Sequence, residues 1–147
     1  MAYRNIETEL WNDPKVTDDM TPEDKLFWVY LLTSPHGNLS GCFQISQNQL
    51  ANALGYNKDT INNLIYRFQY IHELIAYDLD NQEIFIFNWW RYNWTTSPKF
   101  ETALFKFIER IKTVNFRKSI IEIYDLYKKR DTASIPYRYG SVSVTVT

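Results

Sequence analysis

The chain of 147 residues predicts a mainly α fold with a small β-wing: a winged helix-turn-helix followed by a two-helix C-terminal extension. Three observations predict it. Two short helical patterns meet at a single glycine, Gly55. A period-two hairpin pattern follows them directly. Two further apolar stripes at helical spacing then run from Ser97 to about Arg130.

The residues before the first firm helix, 4–20, hold Ile6, Leu10, Trp11 and Val16 among polar neighbours and read as an extended arm or a short helix. Asp13-Pro14 interrupts any longer helix, because proline disfavours helical geometry in the residue before it. Thr21-Pro22-Glu23-Asp24 starts a helix: Thr21 caps, Pro22 suits the first helical position, and two acids sit at the positive end of the dipole. Its run of Leu26, Phe27, Val29, Tyr30, Leu31 and Leu32 is apolar nearly all round, which predicts a deep helix. Ser34-Pro35-His36-Gly37 stops it, and Gly41, Cys42, Phe43 and Ile45 read as a short strand.

Ser46-Gln47-Asn48-Gln49 is a capping box that opens the next helix, and Gly55 closes it. Asn57 caps a second helix over 58–72, with Ile61, Leu64, Ile65, Phe68 and Ile71 on one stripe. Ile75, Tyr77 and Leu79 then alternate with Ala76 and Asp78. Asp80-Asn81 reads as a two-residue turn, and Ile84 to Phe87 as the returning strand. The segment Trp89-Trp90-Arg91-Tyr92-Asn93-Trp94 breaks every periodicity. Beyond it, Ser97-Pro98 starts a helix with Phe100, Leu104, Phe107, Ile108 and Ile111 on one face. Asn115 reads as the cap of another, with Phe116, Ile120, Ile123, Tyr124 and Tyr127. The domains predicted are a winged helix at 1–94, a helical extension at 95–130 and a low-complexity tail at 131–147, whose Ser-Val-Ser-Val-Thr-Val-Thr end is strand-compatible.

Composition narrows the function classes. The lone Cys42 excludes an internal disulfide and a Cys-based zinc site, and reads as a buried strand residue. No run of 18 apolar residues exists and the N-terminus is unlike a signal peptide, so the chain reads as cytosolic, with no membrane partner. Catalysis finds no support: His36 sits in a turn, His72 at a helix end, and no phosphate loop, metal-ligand spacing or nucleophile-base pattern stands out. No cofactor, metal or enzymatic activity is therefore expected.

Net charge is −1, and its distribution is uneven. Residues 1–97 carry six Lys or Arg against twelve acids, a balance of −6. Residues 98–130 carry nine against four, a balance of +5. The basic third is where an anionic partner is expected to touch. Three candidate surfaces follow. The solvent face of helix 58–72 carries Lys58, Asn62, Asn63, Tyr66, Arg67 and Tyr70, where Asn suits adenine edges and Arg guanine edges. That helix is charge-neutral over 46–74, so a protein interface or a solvated face stays open as the alternative. The tryptophan-rich segment is either a stacking surface for unpaired bases with Arg91 alongside, or packing that locks the wing to the C-terminal helices. The cations Lys99, Lys106, Arg110, Lys112, Arg117, Lys118, Lys128, Lys129 and Arg130 either track a phosphate backbone or solvate ordinary helices with Glu-Lys pairing.

The order of several pieces resembles phage and prophage replication proteins known as replisome organisers or DnaD-like replication-initiation proteins. The pieces are Arg4-Asn5-Ile6 with Trp11-Asn12-Asp13, Leu31-Leu32-Thr33-Ser34-Pro35-His36, Gly55-Tyr56-Asn57-Lys58-Asp59-Thr60, Asn88-Trp89-Trp90-Arg91-Tyr92-Asn93-Trp94 and Ile135-Pro136-Tyr137-Arg138-Tyr139-Gly140. The resemblance implies an N-terminal winged helix used for DNA contact or self-association, and a role in origin recognition or helicase loading. DnaD-type proteins carry a second helical domain, and the residues after the wing here are fewer than that domain at full size. The expected partners are double- or single-stranded DNA, a second copy in a homodimer or higher oligomer, and a replication or host protein, all in the host cytoplasm. The alternatives on the same fold are an adaptor or inhibitor of a host or defence protein, and a phage transcriptional regulator.

Overall fold

The computed structural model describes residues 3–136, and the expectations for the tail beyond Pro136 lie outside them. The described chain is mainly helical with one three-stranded antiparallel sheet. Residues 3–13 form an extended arm with a 3-10 turn at Thr8–Asn12. A single turn, α1 (Pro14–Thr17), follows, capped by the Asp13 side chain on Lys15 N. Then come α2 (Pro22–Thr33), β1 (Cys42–Gln44), α3 (Gln47–Leu54) and α4 (Lys58–Tyr66). The hairpin strands are β2 (Ile75–Asp78) and β3 (Glu83–Ile86); α5 (Trp89–Asn93), α6 (Pro98–Ile108) and α7 (Val114–Lys128) complete the order. No described helix is long and apolar enough to cross a membrane.

The capping chemistry behaves as local rules require. Thr21 and Asp24 form a reciprocal capping box, as do Ser46 and Gln49. Asn57 caps α4 on Thr60 N, Ser97 caps α6 on Phe100 N, and Gly55 closes α3 in the left-handed region at φ 77°. One expected cap moves. Helix α7 starts at Val114 rather than after Asn115, behind Thr113, whose side chain does not cap it. The Thr113 hydroxyl instead lies 2.7 Å from Asp78 Oδ2 and 2.6 Å from Glu83 Oε1 on the sheet.

Helix α4 does not run on as an α-helix to residue 72. It widens into a π-turn at Arg67–Ile71, where His72 N bonds to the Arg67 carbonyl. A π-turn advances less per residue than an α-turn. The apolar stripe therefore loses phase: Ile71 turns outward, 55% exposed, and His72 turns into the core. Gln69, also buried, accepts from Tyr77 N at 2.7 Å and ties the wide turn to β2.

The sheet has the order β1-β3-β2, with Phe43 opposite Ile84, and Ile75 and Tyr77 opposite Ile86 and Ile84. Directly opposed residues share a face. That face packs into the helices: Tyr77 donates its hydroxyl to the Ile45 carbonyl, and Phe27 and Phe68 meet at 5.0 Å in the same core. The other face, with Cys42, Ala76, Phe85 and Glu83, is covered by the extension, where Phe116 lies 5.6 Å from Phe85. Both faces are therefore buried, so the alternation expected of β2 fails to separate wet from dry positions. The turn also differs from expectation. Asp78 pairs with Glu83, leaving a loop of residues 79–82, and the positive φ falls at Gln82 rather than at Asp80 or Asn81. In α2 the apolar run is less enclosed than its composition suggests, since Leu26 lies exposed.

The tryptophan-rich segment folds as α5 and is packing, not a stacking platform. Trp89, Trp90 and Trp94 are buried; Trp94 donates to the Leu39 carbonyl, and Tyr127 donates to the Trp94 carbonyl. Trp90 and Trp94 sit edge-on to Tyr127, and Trp94 also to Tyr124. Trp89 lies against the backbone of Gly41, which holds φ 76°. A Cβ at Gly41 would stand 2.5 to 2.9 Å from the Trp89 side chain, while one at Gly55 meets nothing within 4 Å. Gly41→Ala is thus expected to cost about 3 kcal/mol or more, from strain plus overpacking, and Gly55→Ala about 1 kcal/mol, from strain alone. Urea unfolding of the two variants measures the difference; equal losses would mean that the tight approach of Trp89 carries no weight.

Candidate nucleic-acid interface

Helix α4 is held by a buried charged cluster that its outward face does not reveal. Asp24, at the third position of α2, is fully buried. It accepts from Arg67 Nη2 at 2.6 Å and Nε at 2.9 Å, from Thr21 N at 3.1 Å, and lies 3.0 Å from His72 Nε2. Burial pushes the Asp24 carboxyl up, but the Arg67 fork, the Thr21 amide and His72 outweigh it and hold it down at about 2. Arg67 is therefore a structural ion-pair partner, its guanidinium kept charged by Asp24, and does not stand free on the solvent face as expected. His72, read from the sequence as sitting at a helix end, is a buried member of this cluster.

What remains on the outward face of α4 is polar and nearly uncharged. Lys58 and Asp59 offset each other in its first turn. Asn62 and Asn63 are exposed, and Asn62 accepts from Gln47 of α3 at 3.0 Å, so the two helices present one continuous amide surface. Tyr66 and Tyr70 stand exposed with their rings 4.9 Å apart. The hairpin tip next in sequence is acidic. Asp80 is exposed, and Asp78 accepts from Asn81 at 2.7 Å while Asn81 also reaches Thr113. The tip is thus tied back to the α6–α7 corner, with its charge unsuited to phosphate.

The cations of the extension are placed differently. Lys99, Lys106, Arg110, Lys112 and Lys118 are exposed. Arg117 is not available in the same way: its guanidinium donates to the Ile111 carbonyl at 2.6 Å and braces the corner. Lys128 pairs with Glu101, which also accepts from Tyr124 at 2.9 Å. Arg91 is exposed over the Trp90 ring, 5.4 Å from its centroid, on the α5 side. Arg110 lies over Phe107 at 5.3 Å. Arg110 and Lys112 meet His36 across a cleft of about 400 Å³ between loop 35–38, β1 and the end of α6. Arg4 reaches the same loop, donating to the Gly37 carbonyl at 2.8 Å. This grouping of Arg4 and His36 with Arg110 and Lys112 has no local signal in the sequence, because it joins segments more than seventy residues apart.

Among the described residues no group of three or more His, Cys, Asp and Glu side chains is arranged to hold a metal ion. Cys42 is buried, and its thiol is pushed well up by desolvation and then by the nearby Glu83. Comparison with protein-family models, with curated proteins and with solved structures finds no match.

The cluster under α4 makes a testable statement about pH. The folded-state pKa of Asp24 lies below its unfolded value near 3.8. Its stabilisation is therefore fully present above about pH 4 and is lost as pH falls toward about 2. Asp24→Ala should lose about 3 kcal/mol at neutral pH, because Arg67 and the buried His72 lose their partner. Thermal unfolding of the wild type and Asp24→Asn between about pH 2 and pH 6 tests the slope, which the variant should flatten.

Proposed function

We propose that this chain is a winged-helix DNA-binding protein of the replisome-organiser type, acting in phage DNA replication as a homodimer or higher oligomer and without catalytic chemistry. The single observation that carries the reading is the division of surfaces. The extension spends its apolar stripe on the far face of the sheet, which leaves the amide-rich face of α3 and α4 open. Helix, strand, helix, helix and hairpin in that order, with β1 joining the hairpin as a third strand, supports the winged-helix assignment. Phosphate neutralisation supplies most non-specific affinity, and α4 offers little of it. In this reading the backbone is held by the exposed cations of α6 and the α6–α7 corner, and Asn62 and Asn63 read base edges. The sequence resemblance supports the replication role.

A second reading is favoured by one feature. An outward face without net charge, bearing two adjoining exposed tyrosines, suits a protein partner as well as a groove, since interfaces are enriched in tyrosine. Gel shifts on single- and double-stranded DNA at about 50 and about 200 mM salt separate the two. DNA binding should weaken steeply with salt. The combined change Lys106→Glu, Arg110→Glu and Lys112→Glu should lower the slope of log affinity against log salt by about 3. Asn62→Ala with Asn63→Ala should leave that slope intact while relaxing sequence preference. Folded protein that fails to bind at low salt sinks the DNA reading and leaves the adaptor.

A further inference from the structure

We infer that the outward face of α3 and α4 selects A·T over G·C base pairs in the major groove of duplex DNA, with Asn62 and Asn63 as its adenine contacts. The inference rests on the DNA reading proposed above and names the sequence class that this face takes. It follows from which side chains are left for base edges. Lys58 and Arg67 are the two cations between Gln47 and Ile71, and Asp59 is the one acid. Arg67 is committed elsewhere: its guanidinium forks onto the buried Asp24 carboxylate at 2.6 and 2.9 Å. Swinging it outward would take from that carboxylate its two shortest hydrogen bonds and leave a buried charge poorly paired. Lys58 is a single-point ammonium at the first position of α4, and helix N-termini are where backbone phosphates bind. Helix α3 carries no charged residue, and its exposed Asn48 and Asn52 are amides too.

Amide and guanidinium groups read different bases. Guanine presents two acceptors, O6 and N7, and calls for the paired donors of an arginine. Adenine presents the acceptor N7 beside the donor N6 amino group, and an Asn amide matches both at once. Placed on guanine, the same amide sets its carbonyl against O6, acceptor against acceptor. Asn62 is held ready for adenine. Gln47 Nε2 donates to Asn62 Oδ1 at 3.0 Å, which fixes the amide and leaves one lone pair of Oδ1 and both Nδ2 hydrogens for a base. Asn63 is exposed beside it. One turn further along α4, Tyr66 presents an exposed ring to the methyl group of a thymine, the apolar mark that a G·C pair lacks.

Duplexes of equal length, one of mixed A·T sequence and one of G·C, test this by fluorescence anisotropy of the full-length protein across a salt series. The A·T duplex should bind about tenfold more tightly, the worth of one matched amide–adenine pair. An A·T duplex whose adenines carry carbon in place of N7 keeps its pairing but loses the acceptor, and should bind no better than G·C. Asn62→Ala with Asn63→Ala, both at exposed positions, should bring the two natural duplexes level without changing the salt slope. Asn62→Arg should turn the preference toward G·C. Equal binding of the two natural duplexes by the wild type overturns the inference and leaves the DNA reading standing. A preference that survives the loss of N7, or survives in the double alanine variant, overturns it as well, because groove shape rather than the amides is then being read. No binding to any duplex at low salt overturns the DNA reading and this inference with it.

Discussion

The buried carboxyl group of Glu83 is the constraint on which the arrangement of this molecule depends. It begins β3, the middle strand, on the face away from α3 and α4. Its oxygens accept from the backbone amides of Lys112 and Thr113 at 2.7 to 3.1 Å and from the Thr113 hydroxyl. A carboxyl group hidden from water needs such donors, and here the corner between α6 and α7 provides them. The corner is thereby fixed on the sheet, and Phe116 is set against Phe85. A small antiparallel sheet with one open face would leave Cys42, Ala76 and Phe85 wet. With the corner docked, the described chain shares one apolar cluster from Val16 to Ile135.

The same docking explains which surfaces remain for function. Because the extension lies behind the sheet, it neither covers α4 nor adds charge to it. Positive charge collects instead on α6, on the corner and beside loop 35–38, where Arg110, Lys112 and His36 line one cleft. Arg67, the one arginine in α4 and its π-turn, is held inward by Asp24. Helix α4 is thus left with amides and tyrosines on its outward face, while the exposed cations lie on another part of the chain.

Much of the frame was legible in the sequence because it is set by neighbours. Thr21, Ser46, Asn57 and Ser97 cap helices through bonds that span three residues, and Gly55 stops one through its own backbone freedom. The cluster at Asp24 was not legible, because Arg67 and His72 lie 43 and 48 residues away. Asp24 also looked fully explained as an acid at the positive end of the helix dipole, and the one hint, a lone arginine beside an apolar stripe, reads equally as a base contact. The packing of the tryptophans has the same character: Trp94 meets Leu39 and Tyr127, which only the folded chain brings near. Loop 79–82 was misjudged as a shorter turn because Asp80-Asn81 carries the right residue types, whereas Glu83 is drawn into register with Asp78.

The π-turn at Arg67–Ile71 bears on how the chain tolerates length changes. A π-turn is equivalent to an α-helix that has taken in one extra residue. Removing one residue there would restore regular winding and rotate everything that follows by about 100° about the helix axis. Gln69 would then leave Tyr77, and His72 would leave Asp24, so the hairpin and the extension would lose their orientation together. Loop 79–82, on the surface between two paired strands, has no such lever arm. Relatives of this chain are therefore expected to vary in length at the hairpin tip and to keep an unchanged residue count between Arg67 and His72.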